Sequence, residues 1–180
     1  MANAQRQTPA VEPTSWMRLL PPATRFSFRG GSGARAAAGA AFGLALPAEP
    51  CRAAMQTGRA ALWLGPDEHL LMAPVEDGPA LREQLAAALA GQPCSLVDIS
   101  HRQGALELRG PDAAWILAAG CPLDLDVRAF PVGMGTRTVF VKADIVLWRT
   151  AADVFHVEVW RSFTAYVEGL LQEVARELPR

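Results

Sequence analysis

The segments of the first half of this 180-residue chain recur in the same order in the second half, and that recurrence limits the folds open to it. Phe28-Arg29-Gly30 closes an alternating run, and Leu108-Arg109-Gly110 closes another 80 residues later. A glycine ends the apolar stretch that follows each: Gly43 in the first half, Gly120 in the second. Leu62-Trp63 is answered by Leu147-Trp148, and the periodic segment opening at Gly78 by one opening at Ser162. Few identities are shared, but order and kind of element are. Units of this length carry sheet faces that must be covered by helices or by each other. The chain is therefore expected to be α+β: two β-α-β-β-α units, at about 23–92 and 94–178, building one core in a domain spanning 23–180.

Local patterns place the elements. Residues 25–29 (RFSFR) alternate like a half-buried strand, and a helix follows from about Ala34 to Phe42. Strands at 61–64 and 69–72 flank the turn Gly65-Pro66-Asp67-Glu68, with proline suited to the second turn position. Pro79 opens a helix that stacks Leu81, Leu85 and Leu89 on one face. In the second half, 105–109 is a strand and Gly110-Pro111-Asp112 leads a helix through Ala119. Strands at 145–148 and 154–160 precede a last helix. Ser162 is expected to cap it, and Phe163, Tyr166, Val167, Leu170, Leu171 and Val174 to form its apolar face. Residues 1–22 read as an irregular arm with Pro9, Pro13, Pro21 and Pro22. Its cluster Trp16, Met17, Leu19 and Leu20 must pack on its own domain or on a partner, and a partner is the expectation.

Composition excludes some functions. The formal charge of −1 lacks the cationic excess that phosphate neutralisation demands, so no nucleic-acid partner is expected. Lys142 is the only lysine; the rest of the positive charge is arginine. Cys51, Cys94 and Cys121 show no close pairing and read as small hydrophobes in a reduced cytoplasm. No window reaches the length of a membrane span, so no membrane partner is expected.

Each candidate for chemistry has a plainer reading. Gly31-Ser32-Gly33-Ala34-Arg35-Ala36 fits a dinucleotide phosphate loop, with Glu49 near the place of a ribose-binding acid. The strand before it alternates, unlike a buried parallel strand, and Pro47 and Pro50 interrupt the next. A plain strand-to-helix turn is expected. Asp98, Ser100 and His101 are too close in sequence for triad geometry, so Asp98 and Ser100 are expected to bond local backbone. His156, beside Glu158 on an alternating run, is expected in solvent, and His69, His101 and His156 lack metal-ligand spacing. Asp124 and Asp126 read as loop charge matched to Arg128 or Arg137. Trp63, Trp115, Trp148 and Trp160 read as packing residues, with any exposed one an interface anchor. The apolar, proline- and glycine-broken segment 121–136 is expected to dock on another chain, with Phe130 as its anchor. No catalytic, cofactor-binding or metal-ligating residue is assigned.

Longer motifs carry a resemblance. Trp63-Leu64-Gly65-Pro66-Asp67-Glu68-His69-Leu70-Leu71 resembles the W-L-G-P-D-E-x-L-L segment of sarcosine oxidase gamma subunits. Val97-Asp98-Ile99-Ser100-His101-Arg102 with Leu108-Arg109-Gly110-Pro111 is similar to that family too, as are Gly120-Cys121-Pro122-Leu123-Asp124-Leu125, Phe130-Pro131, Arg137-Thr138, Leu147-Trp148-Arg149 and Arg161-Ser162-Phe163. These matches run in order from about residue 23 to 177. The resemblance implies a duplicated, ferredoxin-like fold related to the folate-binding glycine-cleavage T-protein. The catalytic aspartate and folate contacts of that protein lie beyond the matched part, and none is carried over. It further implies a non-catalytic subunit of a four-chain enzyme that oxidises sarcosine to glycine and peroxide. The alpha, beta and delta subunits would be its partners, and FAD, FMN, NAD and tetrahydrofolate would belong to them. The alternatives are a stand-alone folate-binding methyl-transfer or RNA-modification protein, or a homo-oligomeric binding module.

Overall fold

A computed structural model describes residues 16–178, so Pro9 and Pro13 of the expected arm lie outside the described residues. Along the chain run β1 (Met17–Leu19), β2 (Thr24–Gly30), α1 (Ser32–Phe42), β3 (Ala53–Gln56), β4 (Arg59–Gly65), β5 (Glu68–Ala73) and α2 (Gly78–Ala88). Then come β6 (Cys94–Asp98), β7 (Gln103–Arg109), α3 (Ala113–Ala118), β8 (Gly135–Phe140), β9 (Ala143–Ala151), β10 (Val154–Trp160) and α4 (Thr164–Arg176). The strands form two antiparallel five-stranded sheets, ordered β3-β4-β5-β2-β6 and β8-β9-β10-β7-β1.

The sheets stand face to face with helices outside both, because the strands are apolar on both faces. Along β9, Ile145 and Leu147 turn to the helices, while Val146 and Trp148 turn to the other sheet. In β5, Leu71 and Ala73 pack under α1 and α2, while Leu70 and Met72 face the seam between sheets. This two-residue alternation gives one apolar cluster under each helix layer and a third in the seam. Gly43 ends α1 in the left-handed conformation, φ 72°, and its N–H closes on the Ala40 and Gly39 carbonyls. α2 buries Leu81 and Leu85, and Leu89 at its C-cap is buried with them, as the spacing predicts.

The fifth strand of each sheet comes from the other half. β6 leads into β7 but pairs with β2; β1 leads into β2 but pairs with β7. The exits match as well: Ile99 N–H donates to the Arg25 carbonyl at 2.9 Å, and Leu20 N–H to the Ala105 carbonyl at 2.8 Å. Each half thus completes the other's sheet. A second join lies at the opposite edge, where Ala53 N–H donates to Gly133 and Gly135 N–H to Cys51.

Several expectations are corrected. The arm is not irregular throughout: Met17–Leu19 is a strand, Met17 is buried, and only Leu19 of the cluster is exposed. The main-chain ladder to β7 and the cover of α3 and α4 outweigh the neighbouring prolines. The units are richer than β-α-β-β-α, since β3 and β8 form edges that lack strong patterning. Ser162 does not cap the last helix: residues Arg161–Phe163 make a 3₁₀ turn, and α4 starts at Thr164. Val167 and Leu171 form the buried stripe of α4, while Phe163 and Tyr166 are exposed. Cys121 is buried, whereas Cys51 and Cys94 are half-buried.

The segment 121–136 is the largest correction. Cys121, Leu125 and Phe130 lie in the chain's own core, with Phe130 stacked on Phe155 at 6.4 Å. Arg149 of β9 holds the segment, donating to the Phe130 carbonyl at 2.7 Å and the Leu125 carbonyl at 3.0 Å. Buried carbonyls that no ladder could reach are satisfied by one planar guanidinium. Phe130 is 1% exposed, so Phe130→Ala should lower the chain's own unfolding free energy by about 3–5 kcal/mol. Val132→Ala, at a side chain 49% exposed, should stay within about 0.5 kcal/mol. Denaturant unfolding of the two variants checks this, and equal losses would count against the packing.

Candidate functional site

The seam between the sheets holds the charged groups that sequence patterning hid. Arg25 on β2 faces Glu158 on β10, with Nε to Oε2 at 2.7 Å and Nη2 to Oε1 at 2.9 Å. The side chains are 2% and 0% exposed, so this is a buried, bidentate ion pair between sheets. His156 Nε2 lies 2.7 Å from Glu158 Oε1, and Arg25 Nη1 donates to the Ala23 carbonyl at 3.1 Å. Burial pushes the Glu158 carboxyl up, but His156 and Arg25 outweigh it and hold it below the usual glutamate range. His156 and Glu158 are therefore not in solvent as expected. Their face of β10 is covered by the other sheet.

The exchanged strand β6 fixes Arg25 from behind. Ser100 Oγ accepts the Arg25 N–H at 2.9 Å. Asp98 Oδ1 in turn accepts Ser100 N–H at 2.9 Å and Ser100 Oγ–H at 2.6 Å. Asp98 and Ser100 thus serve a turn, and His101 beside them is exposed.

Two pockets open at the seam. One, of about 360 Å³, is lined by His69, Gln103, Arg102, Trp160 and the Glu68–Arg137 pair, among others. His69 Nε2–H donates to the Pro47 carbonyl at 2.7 Å, and burial pushes its pKa down, which favours the neutral ring. Its Nδ1 is then an acceptor without a partner among the described residues. Arg102 stacks on Trp160 at 5.5 Å. The second pocket, of about 460 Å³, is lined by the linker between β1 and β2, the β3–β4 hairpin, Trp148 and His156.

The remaining candidates stay apart from the seam. Gly31 caps α1, and β2 before it is antiparallel to both neighbours, so no parallel βαβ crossover forms there. Glu49 makes a surface pair with Arg52. Asp126 accepts from Arg128 at 2.8 Å, and Asp124 accepts the Asp126 N–H; Arg137 instead joins Glu68. Among the described residues no group of three or more His, Cys, Asp or Glu is placed to hold a metal ion. Trp148 is buried, but Trp115 and Trp160 are 49% and 46% exposed. Arg25 and Glu158 were missed because each sits on a run whose charged positions read as a solvent face. The one available signal is Glu158 itself, between Val157 and Val159 and near no turn.

This geometry generates a stability prediction. Removing one partner of a buried pair strands the other charge, so Glu158→Gln and Arg25→Met should each cost about 3–5 kcal/mol. Arg25→Met with Glu158→Leu should recover most of that loss. Glu158 is depressed when folded, so its contribution is full above about pH 4.3, the unfolded glutamate value, and is lost as pH falls through its folded value. Acid titration of melting temperature should be steeper in the parent than in the double variant. Identical acid limbs would contradict the assignment.

Comparison with known proteins extends the picture. Residues 30–177 match the family described as "Sarcosine oxidase, gamma subunit family". A sarcosine oxidase subunit gamma from Arthrobacter sp. is 41% identical over 71% of this chain and 62% of its own. One from Corynebacterium sp. strain U-96 is 40% identical over 82% of this chain and 71% of its own. This chain thus spans less than two thirds of the Arthrobacter relative. Among solved structures, heterotetrameric sarcosine oxidase from Corynebacterium sp. U-96, in complex with pyrrole 2-carboxylate, matches with a TM-score of 0.82 and 35% identity. That match covers 89% of this chain and 83% of the other. Aminomethyltransferase T of the Bartonella henselae glycine cleavage system matches with a TM-score of 0.67 over 89% of this chain and 46% of its own. At 15% identity, that likeness shows the fold alone.

Proposed function

The chain belongs to the sarcosine oxidase gamma subunit family, and from that premise we propose that it is a non-catalytic subunit of a heterotetrameric sarcosine oxidase. The observation carrying the proposal is the backbone match to a chain of such a heterotetramer over 89% of this one. The reaction is oxidative demethylation of sarcosine to glycine and peroxide, with the one-carbon unit leaving as formaldehyde or passing to tetrahydrofolate. Flavins, NAD and folate belong to the partner chains, alpha, beta and delta. The bonding of the ionisable groups singled out above supports this division. Glu158, Asp98, Asp126 and Glu68 are each tied into ion pairs, turns or both rather than aligned on one reacting position.

What the subunit contributes is a rigid body with apolar outer faces. Trp115 on α3, Phe163 in the turn before α4 and Tyr166 on α4 leave large apolar side chains exposed on the helix layer of the second sheet. The tagged full chain, expressed in its native host, should bring down larger flavin-bearing chains in fixed stoichiometry, read by mass spectrometry and the visible spectrum. The chain alone should give no sarcosine-dependent peroxide. Trp115→Ala should weaken capture about tenfold or more while leaving the lone chain's melting temperature unchanged. Recovery as a lone chain or homo-oligomer, or peroxide without partners, would refute the subunit role.

A further inference from the structure

We propose that the seam pocket lined by Arg102 and Trp160 binds a small zwitterion, an aliphatic α-amino acid whose carboxylate meets Arg102 and whose ammonium meets Asp144. The charges on its wall carry the inference. Of the carboxylates and guanidiniums there, Glu68 is paired with Arg137, and Glu158 with Arg25 and His156. What is left is one cation and one anion, Arg102 and Asp144. Both side chains are exposed, and neither makes a hydrogen bond or ion pair among the described residues.

Trp160 brings the two charges together. Arg102 ends the turn after β6, its N–H donating to the Ile99 carbonyl at 3.0 Å, and its guanidinium lies over the Trp160 ring at 5.5 Å. In the neighbouring strand Ile145 stands opposite Val159, so Asp144 comes beside Trp160 one step further along. Two-residue alternation puts Asp144 on the same face of β9 as Val146 and Trp148, toward the seam. Cross-strand neighbours stand about 5 Å apart, so cation and anion flank one indole without closing on each other. A ligand of single charge gains one partner and meets the other as a like charge, whereas a zwitterion satisfies both. Leu64, Leu70, Ile99 and Val146 supply apolar wall for an aliphatic side chain. At about 360 Å³, the pocket lies within the roughly 300–1,000 Å³ range of small-molecule sites. The inference does not depend on the subunit role, because it concerns only groups within this chain.

Leucine is a suitable probe, with isocaproate lacking its ammonium and isoamylamine lacking its carboxylate. In a ¹⁵N-labelled full chain, the indole resonance that Trp160→Phe removes should move saturably with leucine. By calorimetry at neutral pH, leucine should bind the parent chain about 10- to 100-fold more tightly than either analogue, the equivalent of one hydrogen bond between charged groups. Asp144→Asn should bring leucine down to the level of isocaproate, and Arg102→Gln to that of isoamylamine. Both side chains are exposed, so neither substitution should alter the melting temperature, and the three-ligand comparison on the parent needs no variant. No saturable movement of the Trp160 resonance up to about 10 mM leucine overturns the proposal. So does either analogue binding the parent as tightly as leucine, or leucine affinity unchanged in both variants.

Discussion

The pair of Arg25 and Glu158 is the interaction on which the rest of the structure turns, because it is a bidentate ion pair fully buried between the two sheets. Its neighbours in the ladders show what else that position accepts. Arg25 lies opposite Met72 in its own sheet, and Glu158 lies opposite Ala105 in the other. At the site related by the internal repeat, then, the seam carries methionine and alanine. A buried ion pair contributes little net stability over such apolar groups, but it accepts only one partner in one geometry. It therefore acts as a register pin: a slip of either sheet by one residue would leave both charges buried and unpaired.

The exchange of edge strands makes the pin effective. β6 and β1 each belong by sequence to one half and by hydrogen bonding to the other, so neither sheet is complete without the chain's other half. Ser100, at the exit of β6, accepts the Arg25 N–H, which couples the exchanged strand to the seam charge. Small residues repeat this interdependence. Gly78, opening α2, leaves room for Thr24 of β2, where an added Cβ would stand 2.5 Å from the hydroxyl oxygen. In the second half Gly104 of β7 leaves room for Thr164 of α4, at 2.6 Å. Glycine and threonine have exchanged places between strand and helix, and the close approach is kept.

Local periodicity made much of this fold legible. The helix closed by Gly43, the hairpin around Gly65-Pro66, the stack of Leu81, Leu85 and Leu89 and the strand Val154–Trp160 all follow from spacing of two or 3.6 residues. What stayed hidden depends on contacts between distant segments. β1 and β8 are strands only because a ladder partner waits for them, and Arg-Phe-Ser-Phe-Arg looks half-solvated until a second sheet covers its polar face. Phe130 followed the same logic, since proline and glycine around it argued against a strand but said nothing about Arg149 reaching out to hold the loop. The family resemblance was legible in longer motifs, whereas the seam pockets were not, because their walls come from five or more separated segments.

The proposed subunit role requires faces that stay fixed in the assembly. The seam pin, the exchanged strands and the Arg149 clasp tie the two halves of the described chain together. Amide hydrogen exchange of the full chain under native conditions tests this most directly. If the halves are one cooperative unit, the slowest amides of β2 and β7 exchange with the same opening free energy, and added denaturant lowers both in parallel. Separate opening of the two sheets, with β7 unprotected while β2 stays closed or the reverse, would contradict the account.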